Sequence, residues 1–232
     1  MIYFLKIKYI KVLLLKNKSA FTMIELVFVI VVLGILASLA MGRMDRDLRQ
    51  EAAETILSHI RLTQQLALRD NKHRSDNNAD WQTAYWRFEF SNCSFTGNVK
   101  PIYAVGSAPL SGDLNKTTSA VDPINGKYLF GSCTATSNAS NVSEDVFVGK
   151  HFGVKKFEMK KCTTPQYTGA NFGFDYLGRL HVGIDGYDGV EKFSKIATRD
   201  CNLTVTMSDD EKFSIIIKAE TGHAYIEGQE AL

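Results

Sequence analysis

Residues 19–42 read SAFTMIELVFVIVVLGILASLAMG. From Phe21 to Gly42 a single charge, Glu25, interrupts a run of apolar and small residues, and Arg43 closes it. At 1.5 Å per helical residue such a run is roughly 33 Å long, about the thickness of bilayer hydrocarbon. The stretch therefore reads as one membrane-spanning helix over residues 21–42. Its carboxylate is the anomaly, because a charge inside a membrane segment costs about 2.5–3.5 kcal/mol on insertion scales unless something compensates for it.

The flanks orient the span. Lys6, Lys8, Lys11, Lys16 and Lys18 precede it with no acid among residues 1–20. By the positive-inside tendency this leaves the N-terminus in the cytoplasm and sends residues 43–232 across the membrane. Arg43, Arg46 and Arg49 lie on the far side, but Asp45 and Asp47 alternate with them. Five of the 27 lysines and arginines sit in the first 20 residues, so the remainder, set against 25 acids, is acidic by about three charges. With 45% hydrophobic and 22% charged residues, the chain has material for one ordinary globular domain beside the special segment.

Helical character continues past the span. "DLRQEAAETILSHIRLTQQLALRDNKH" contains no Pro or Gly and places Leu48, Ala52, Ile56, Ile60, Thr63 and Ala67 on one face. One helix is predicted from about Thr22 to about Arg69, with an amphipathic second part, and the polar run "DNKHRSDNNAD" ends it. After Trp81 the pattern changes to short alternating segments: "AYWRFEF", "KPIYAV", "KYLFGS", "DVFVGKHFGV", "KFEM", "NFGFDYLGRLHVGI", "CNLTVTM", "KFSIIIKA" and "HAYIEG". Turn signals such as "SGD", "DPING" and "SDDEK" separate them. The expected architecture is α+β, a long N-terminal helix packed on an antiparallel sheet or sandwich. Its parts are a leader over 1–20, the span over 21–42, the amphipathic continuation over 43–72 and an exported β-rich domain over 81–232.

Cys93, Cys133, Cys162 and Cys201 all fall in the exported part, are even in number and form no C-x-x-C pair. Disulfides are the natural reading in an oxidising compartment, against the alternative of buried free thiols. Three connectivities are open, and pairing in sequence order, Cys93 with Cys133 and Cys162 with Cys201, is favoured.

A neighbouring copy offers one compensation for Glu25. If the chain is cut between Ala20 and Phe21, a new amine appears at Phe21 close to the carboxylate. A copy shifted by about one helical turn would bring its amine to this Glu25, neutralise both charges and set the stagger between subunits. A plain signal anchor and a secretory signal peptide are the bland alternatives.

"KNKSA" followed by "FTMIELVFVIVVLGILA" resembles the processing site and helix of type IV prepilins and type II secretion pseudopilins. The resemblance implies cleavage between Ala20 and Phe21 by a membrane-embedded aspartyl peptidase, N-methylation of Phe21, and filament assembly through Glu25. Ala20 departs from the more usual Gly before the cut. More loosely, "AAETILSHIRLTQQLALRD" with "FGFDYLGRL", "CNLTVTM" and "FSIIIKAETGHAYI" is similar to the minor pseudopilin and minor pilin group called GspH or FimT. That likeness implies a minor subunit, with Gly178 and Gly222 at positive-φ turn positions. Implied partners are other pilins or pseudopilins, the prepilin peptidase, the inner-membrane assembly platform and the membrane itself. The implied location is the inner membrane, single-pass, with a periplasmic C-terminal domain that can enter a pilus or pseudopilus.

No nucleotide-binding, hydrolase or zinc-protease motif occurs, and His59, His73, His151, His181 and His223 show no ligand spacing, so no enzyme, cofactor or metal is expected. "GIDGYDG", with Asp185 and Asp188, lacks the ligand density of a calcium loop and reads as a turn. "KHFGVKKFEMKK" invites the alternative of a FimT-like competence minor pilin that binds DNA during uptake. Glu158 interrupts that run and six acids follow Ser208, which argues against DNA. Asn115 in "DLNKT" and Asn202 in "DCNLT" fit an extended glycosylation sequon, and both read as ordinary turn residues.

Overall fold

The structure, a computed structural model, describes residues 22–70, 84–95, 98–108, 114–134, 140–162, 171–184 and 196–229, and their side chains except at 39–47, 95, 98 and 99. The chain divides into two compact units, Met1–Met44 and Asp45–Leu232. One helix, α1, runs over Met23–Arg69. In the second unit its buried positions are Ala52, Ala53, Ile56, Leu57, His59, Ile60, Thr63 and Ala67, the i, i+3, i+4 stripe of an amphipathic helix. Leu48, expected on that stripe, stays 37% exposed, so the seam begins at Ala52. At the far end the indole Nε1 of Trp86 donates to Asp70 Oδ2 at 2.8 Å, tying the residue after the helix to the first strand.

Among the described residues eight strands follow: β1 Trp86–Phe95, β2 Asn98–Gly106, β3 Val154–Lys160, β4 Asn171–Phe174, β5 Leu180–Val182, β6 Cys201–Met207, β7 Lys212–Ile217 and β8 Ala224–Ile226. They make two four-stranded sheets, ordered β2-β1-β4-β5 and β3-β6-β7-β8, and every strand pair is antiparallel. The fold is thus α+β, a helix with two antiparallel sheets. The α1 seam and residues of both sheets share one hydrophobic core. Within it Phe88 stacks on Tyr103 at 4.7 Å and on Phe172 at 5.2 Å, while Phe90 of the first sheet meets Phe157 of the second at 5.1 Å. Such pairs add about 0.5–1.5 kcal/mol beyond the area they bury.

Two segments depart from the sequence reading. "DVFVGKHFGV", expected as a strand, forms a 3-10 turn, Glu144–Val146, and a short helix, α2, Val148–His151. Val148 and Phe152 are buried while Lys150 and His151 between them are exposed, the i, i+4 spacing of one helical face and not the alternation of a strand. "KYLFGS" contributes only single bridges, at Tyr128 and Phe130. Its stretch lies along β2: Val105 N donates to Leu129 O and Ala120 N to Val105 O. Residues 101–106 of β2 are consequently buried without alternation.

Disulfides join Cys93 to Cys133 and Cys162 to Cys201, 40 and 39 residues apart in sequence. Closing loops of that length is worth on the order of 4 kcal/mol each in the chain-entropy account.

Two glycine turns meet the helix. Gly178, between β4 and β5, has φ +77°, and Gly222, between β7 and β8, has φ +65°. A Cβ on Gly222 would lie 2.2 Å from Gly178 O and 2.9 Å from Phe174 Cε1. Gly228 has φ +87° but open space around it. Gly228→Ala should therefore cost about 1–2 kcal/mol, the left-handed penalty alone, and Gly222→Ala about 1–3 kcal/mol more from overpacking. Urea midpoints of a fragment covering residues 45–232 measure both; equal costs would mean that the Gly178–Gly222 contact is slack.

Candidate functional site

Thr22 stands immediately before α1 and Glu25 falls in its first turn. The Thr22 backbone N–H and hydroxyl both donate to Glu25 Oε2, at 2.8 and 2.9 Å, and Glu25 N donates back to Thr22 Oγ1 at 3.3 Å. This is a reciprocal capping box, T-x-x-E, which satisfies helix-start donors that have no intrahelical partner. The sequence places the helix start at about Thr22, but the capping role of its side chain, legible in the T-x-x-E spacing, is absent from that reading. Glu25 Oε1 makes no hydrogen bond among the described residues and remains open to an outside donor.

Beyond the cap, every side chain from residue 22 to residue 38 is exposed. Met23 is 89% exposed, Ile24 77% and Phe28 69%, and Leu26, Val27, Val29, Ile30, Val31, Leu33, Ile35 and Leu36 follow around all sides of the helix. Each large apolar side chain gains about 1.5–3 kcal/mol when removed from water. A helix that is apolar all round requires cover, from lipid or from other chains. Among the described residues no helix is long and apolar enough to cross a membrane. The described side chains of this run, residues 22–38, stop short of the roughly 20 residues a span requires, and the expected span of 21–42 reaches past them at both ends. Ala20 and Phe21, the expected cleavage and methylation positions, lie outside the described residues, as do Asp185 and Asp188.

The other polar clusters of the second unit occupy structural positions. Asp175 Oδ1 accepts from Leu177 N and Arg179 N, both at 2.9 Å. Its Oδ2 accepts from Arg179 Nε at 2.9 Å and lies 3.1 Å from His181 Nε2. Burial raises the Asp175 carboxyl, but the hydrogen bonds from His181 and from Arg179 outweigh it and hold the group down at about 2. His59 is buried with Nδ1 2.5 Å from Tyr103 Oη and Nε2 3.8 Å from Asp122 Oδ2. Burial lowers its pKa, opposed by the Asp122 and Asp145 carboxylates. Asp122 in turn accepts from Ile124 N, Asn125 Nδ2 and Ser143 Oγ, so this network holds its loop. Among the described residues no group of three His, Cys, Asp or Glu side chains is arranged to hold a metal ion. Lys155 pairs with Asp210, and Lys156 and Lys160 flank Glu158 at 2.9 and 3.8 Å. Asn202, read as a turn residue, instead lies inside β6 opposite Lys160 and Ile216.

The described helix start is thus capped, apolar and uncovered. The family described as the prokaryotic N-terminal methylation motif matches residues 15–41 of this chain. That motif indicates a type IV pilin-like prepilin substrate. No curated protein and no solved structure matches the chain.

Acid should expose the Asp175 tie. Its folded pKa lies below the ordinary carboxylate value of about 3.9, so the stability it confers is present above pH 4 and is lost as pH falls through about 2. Asp175→Asn should lower stability at neutral pH and flatten its decline between pH 4 and 2, read from urea midpoints. Parallel wild-type and variant curves would show that the carboxylate does not carry this dependence.

Proposed function

We propose that the chain is a minor subunit of a type IV pilus or type II secretion pseudopilus, of the GspH/FimT-like group. The carrying observation is the methylation motif placed on a capped helix whose apolar side chains are uncovered on every side. In this reading residues 1–20 are a leader, which prepilin peptidase removes between Ala20 and Phe21, and the Phe21 amine is methylated. Residues 21–42 anchor the precursor in the inner membrane and later pack among neighbouring helices, residues 43–72 continue the helix, and residues 81–232 form the periplasmic domain. Other pilins or pseudopilins and the assembly platform are the partners. The chain is a structural subunit and no enzyme; the energy for assembly comes from elsewhere.

Glu25 has two tasks in this account. Before assembly its Oε2 caps its own helix through Thr22, which stabilises the helix start. In the filament Oε1 receives the amine of a neighbour, and the pair is neutralised in a low-dielectric setting. The rival reading, a DNA-binding competence minor pilin, rests on the lysines around β3. It is less well supported, since Lys155, Lys156 and Lys160 each face a carboxylate.

Mass spectrometry of the protein from producing cells should find an N-terminus that is N-methylated Phe21, and a peptidase-deficient strain should keep the leader. An intact leader in the wild-type background would overturn the proposal. Two Glu25 variants separate the two tasks. Glu25→Gln retains a capping acceptor and loses the charge, whereas Glu25→Ala loses both. Both should be processed yet recovered at least tenfold less in sheared filament fractions, the loss of roughly 1.4 kcal/mol or more per contact. Wild-type recovery of Glu25→Gln would reduce the residue to a helix cap.

A further inference from the structure

We propose that Asn115 is the acceptor of an N-linked glycan, transferred from a polyprenyl-diphosphate-linked saccharide on the exported side of the membrane. The proposal rests on the exported placement of residues 43–232 given above. Two sequons of the form D-x-N-x-T occur, at Asn115 and Asn202, and the fold treats them differently.

Asn202 is half-buried in β6, an interior strand of its sheet, between β3 and β7. It follows Cys201, which is disulfide-bonded to Cys162. Presenting its side chain to an enzyme would mean withdrawing a strand paired on both sides, against both ladders and a covalent tie.

Asn115 is exposed, in the turn that ends at Ser119. Its Oδ1 accepts from Thr117 N at 2.9 Å, Thr117 Oγ1 at 2.6 Å and Thr118 N at 3.1 Å. The two backbone N–H groups can only donate, so the side-chain atom facing them is the oxygen and the amide orientation is determined. The backbone is held as well: Asn115 N donates to Thr118 Oγ1, and Asn115 O accepts from Thr118 Oγ1 and Ser119 Oγ. Nδ2 makes no hydrogen bond among the described residues.

The sequon threonine is engaged with the sequon asparagine at both sites, Thr204 Oγ1 donating to Asn202 Oδ1 at 3.0 Å, so exposure on a turn and the further backbone donors on Oδ1 are what set Asn115 apart. Three donors on Oδ1 draw electron density from the amide and make its Nδ2–H more acidic, while Nδ2 is left toward solvent. In the transfer, Nδ2 bonds to the anomeric carbon of the saccharide as the bond from that carbon to the diphosphate oxygen breaks. The bonding pair leaves with the diphosphate, and one Nδ2 proton passes to a base of the transferring enzyme. The turn itself needs only Oδ1, so modifying Nδ2 leaves every hydrogen bond named here in place.

The test is peptide mapping and intact mass of the full-length protein from its producing cells, without reduction. The expected result is a saccharide increment on the peptide carrying Asn115 and none on that carrying Asn202. Asn115→Asp keeps Oδ1 and the turn but removes the acceptor nitrogen, and Thr117→Val leaves Asn115 but removes the hydroxyl; both should abolish the increment, and Thr117→Ser should retain it. An unmodified Asn115 in protein whose two disulfides are formed overturns the proposal while sparing the export reading. An increment on Asn202 instead also overturns it. An unmodified Asn115 in protein with four free thiols overturns the export reading and the proposal together.

Discussion

One amide of α1 ties a turn of each sheet to the helix, over the core that all three share. Gln64 of α1 donates from Nε2 to Gly178 O at 3.0 Å and to Thr221 O at 2.6 Å. The first carbonyl belongs to the β4–β5 turn of one sheet, the second to the β7–β8 turn of the other. The turns approach this closely because Gly222 carries no side chain, since a Cβ there would lie 2.2 Å from Gly178 O, and both glycines adopt positive φ. Arg61, one turn earlier on the same helix face, donates from Nε and Nη2 to Ala224 O, at 3.0 and 2.9 Å. That carbonyl lies on β8, the last strand of its sheet, so the guanidinium also blocks an edge that would otherwise invite pairing with another chain. Polar contacts laid over an apolar stripe, Ala52 to Ala67, thereby join the helix to both sheets.

Helix α1 presents two kinds of surface. From Ala52 onward its sequence is striped, and the stripe is buried against the sheets; from Met23 to Leu36 it is apolar but for Glu25, and nothing among the described residues covers it. Elementary transfer energetics separate these stretches more sharply than any boundary in secondary structure, since the helix runs through both. The capping box at Thr22 and Glu25 fits that division. Unpaired N–H groups at a helix start are costly where water is scarce, and a carboxylate is the residue type that satisfies them while matching the positive end of the helix dipole. The charge that looks misplaced in an apolar run is the local solution to the way the run begins, and its free oxygen is available for a second use.

Several buried polar residues are engaged in holding the fold. Asp175 and Arg179, in the β4–β5 turn, bind each other and the turn's own backbone N–H groups. His59 is buried between Tyr103 and Asp122. The lysines of β3 stand on an edge strand of their sheet and pair with neighbouring acids, a placement that discourages edge-to-edge association at little cost.

The amino-acid order by itself determined the helix and most of the strands, because 3.6- and 2-residue apolar periods need no tertiary knowledge. It also marked the apolar run with its carboxylate and the processing motif, which depend on composition over some 20 adjacent residues. Long-range contact decided the rest. Residues 144–151 became a turn and a short helix because Val148 and Phe152 are buried with Lys150 and His151 exposed between them, a helical face that the apolar letters alone did not distinguish from a strand. Asn202 became part of an interior strand because β3 and β7 close on both sides of it, while Asn115, with the same local sequence, stayed on an exposed turn. Gln64 carried no signal at all, since an amide on a helix is unremarkable until two carbonyls more than a hundred residues away are brought within reach of it. Local sequence states the preference of each segment; only packing decides which polar groups must find partners, and with whom.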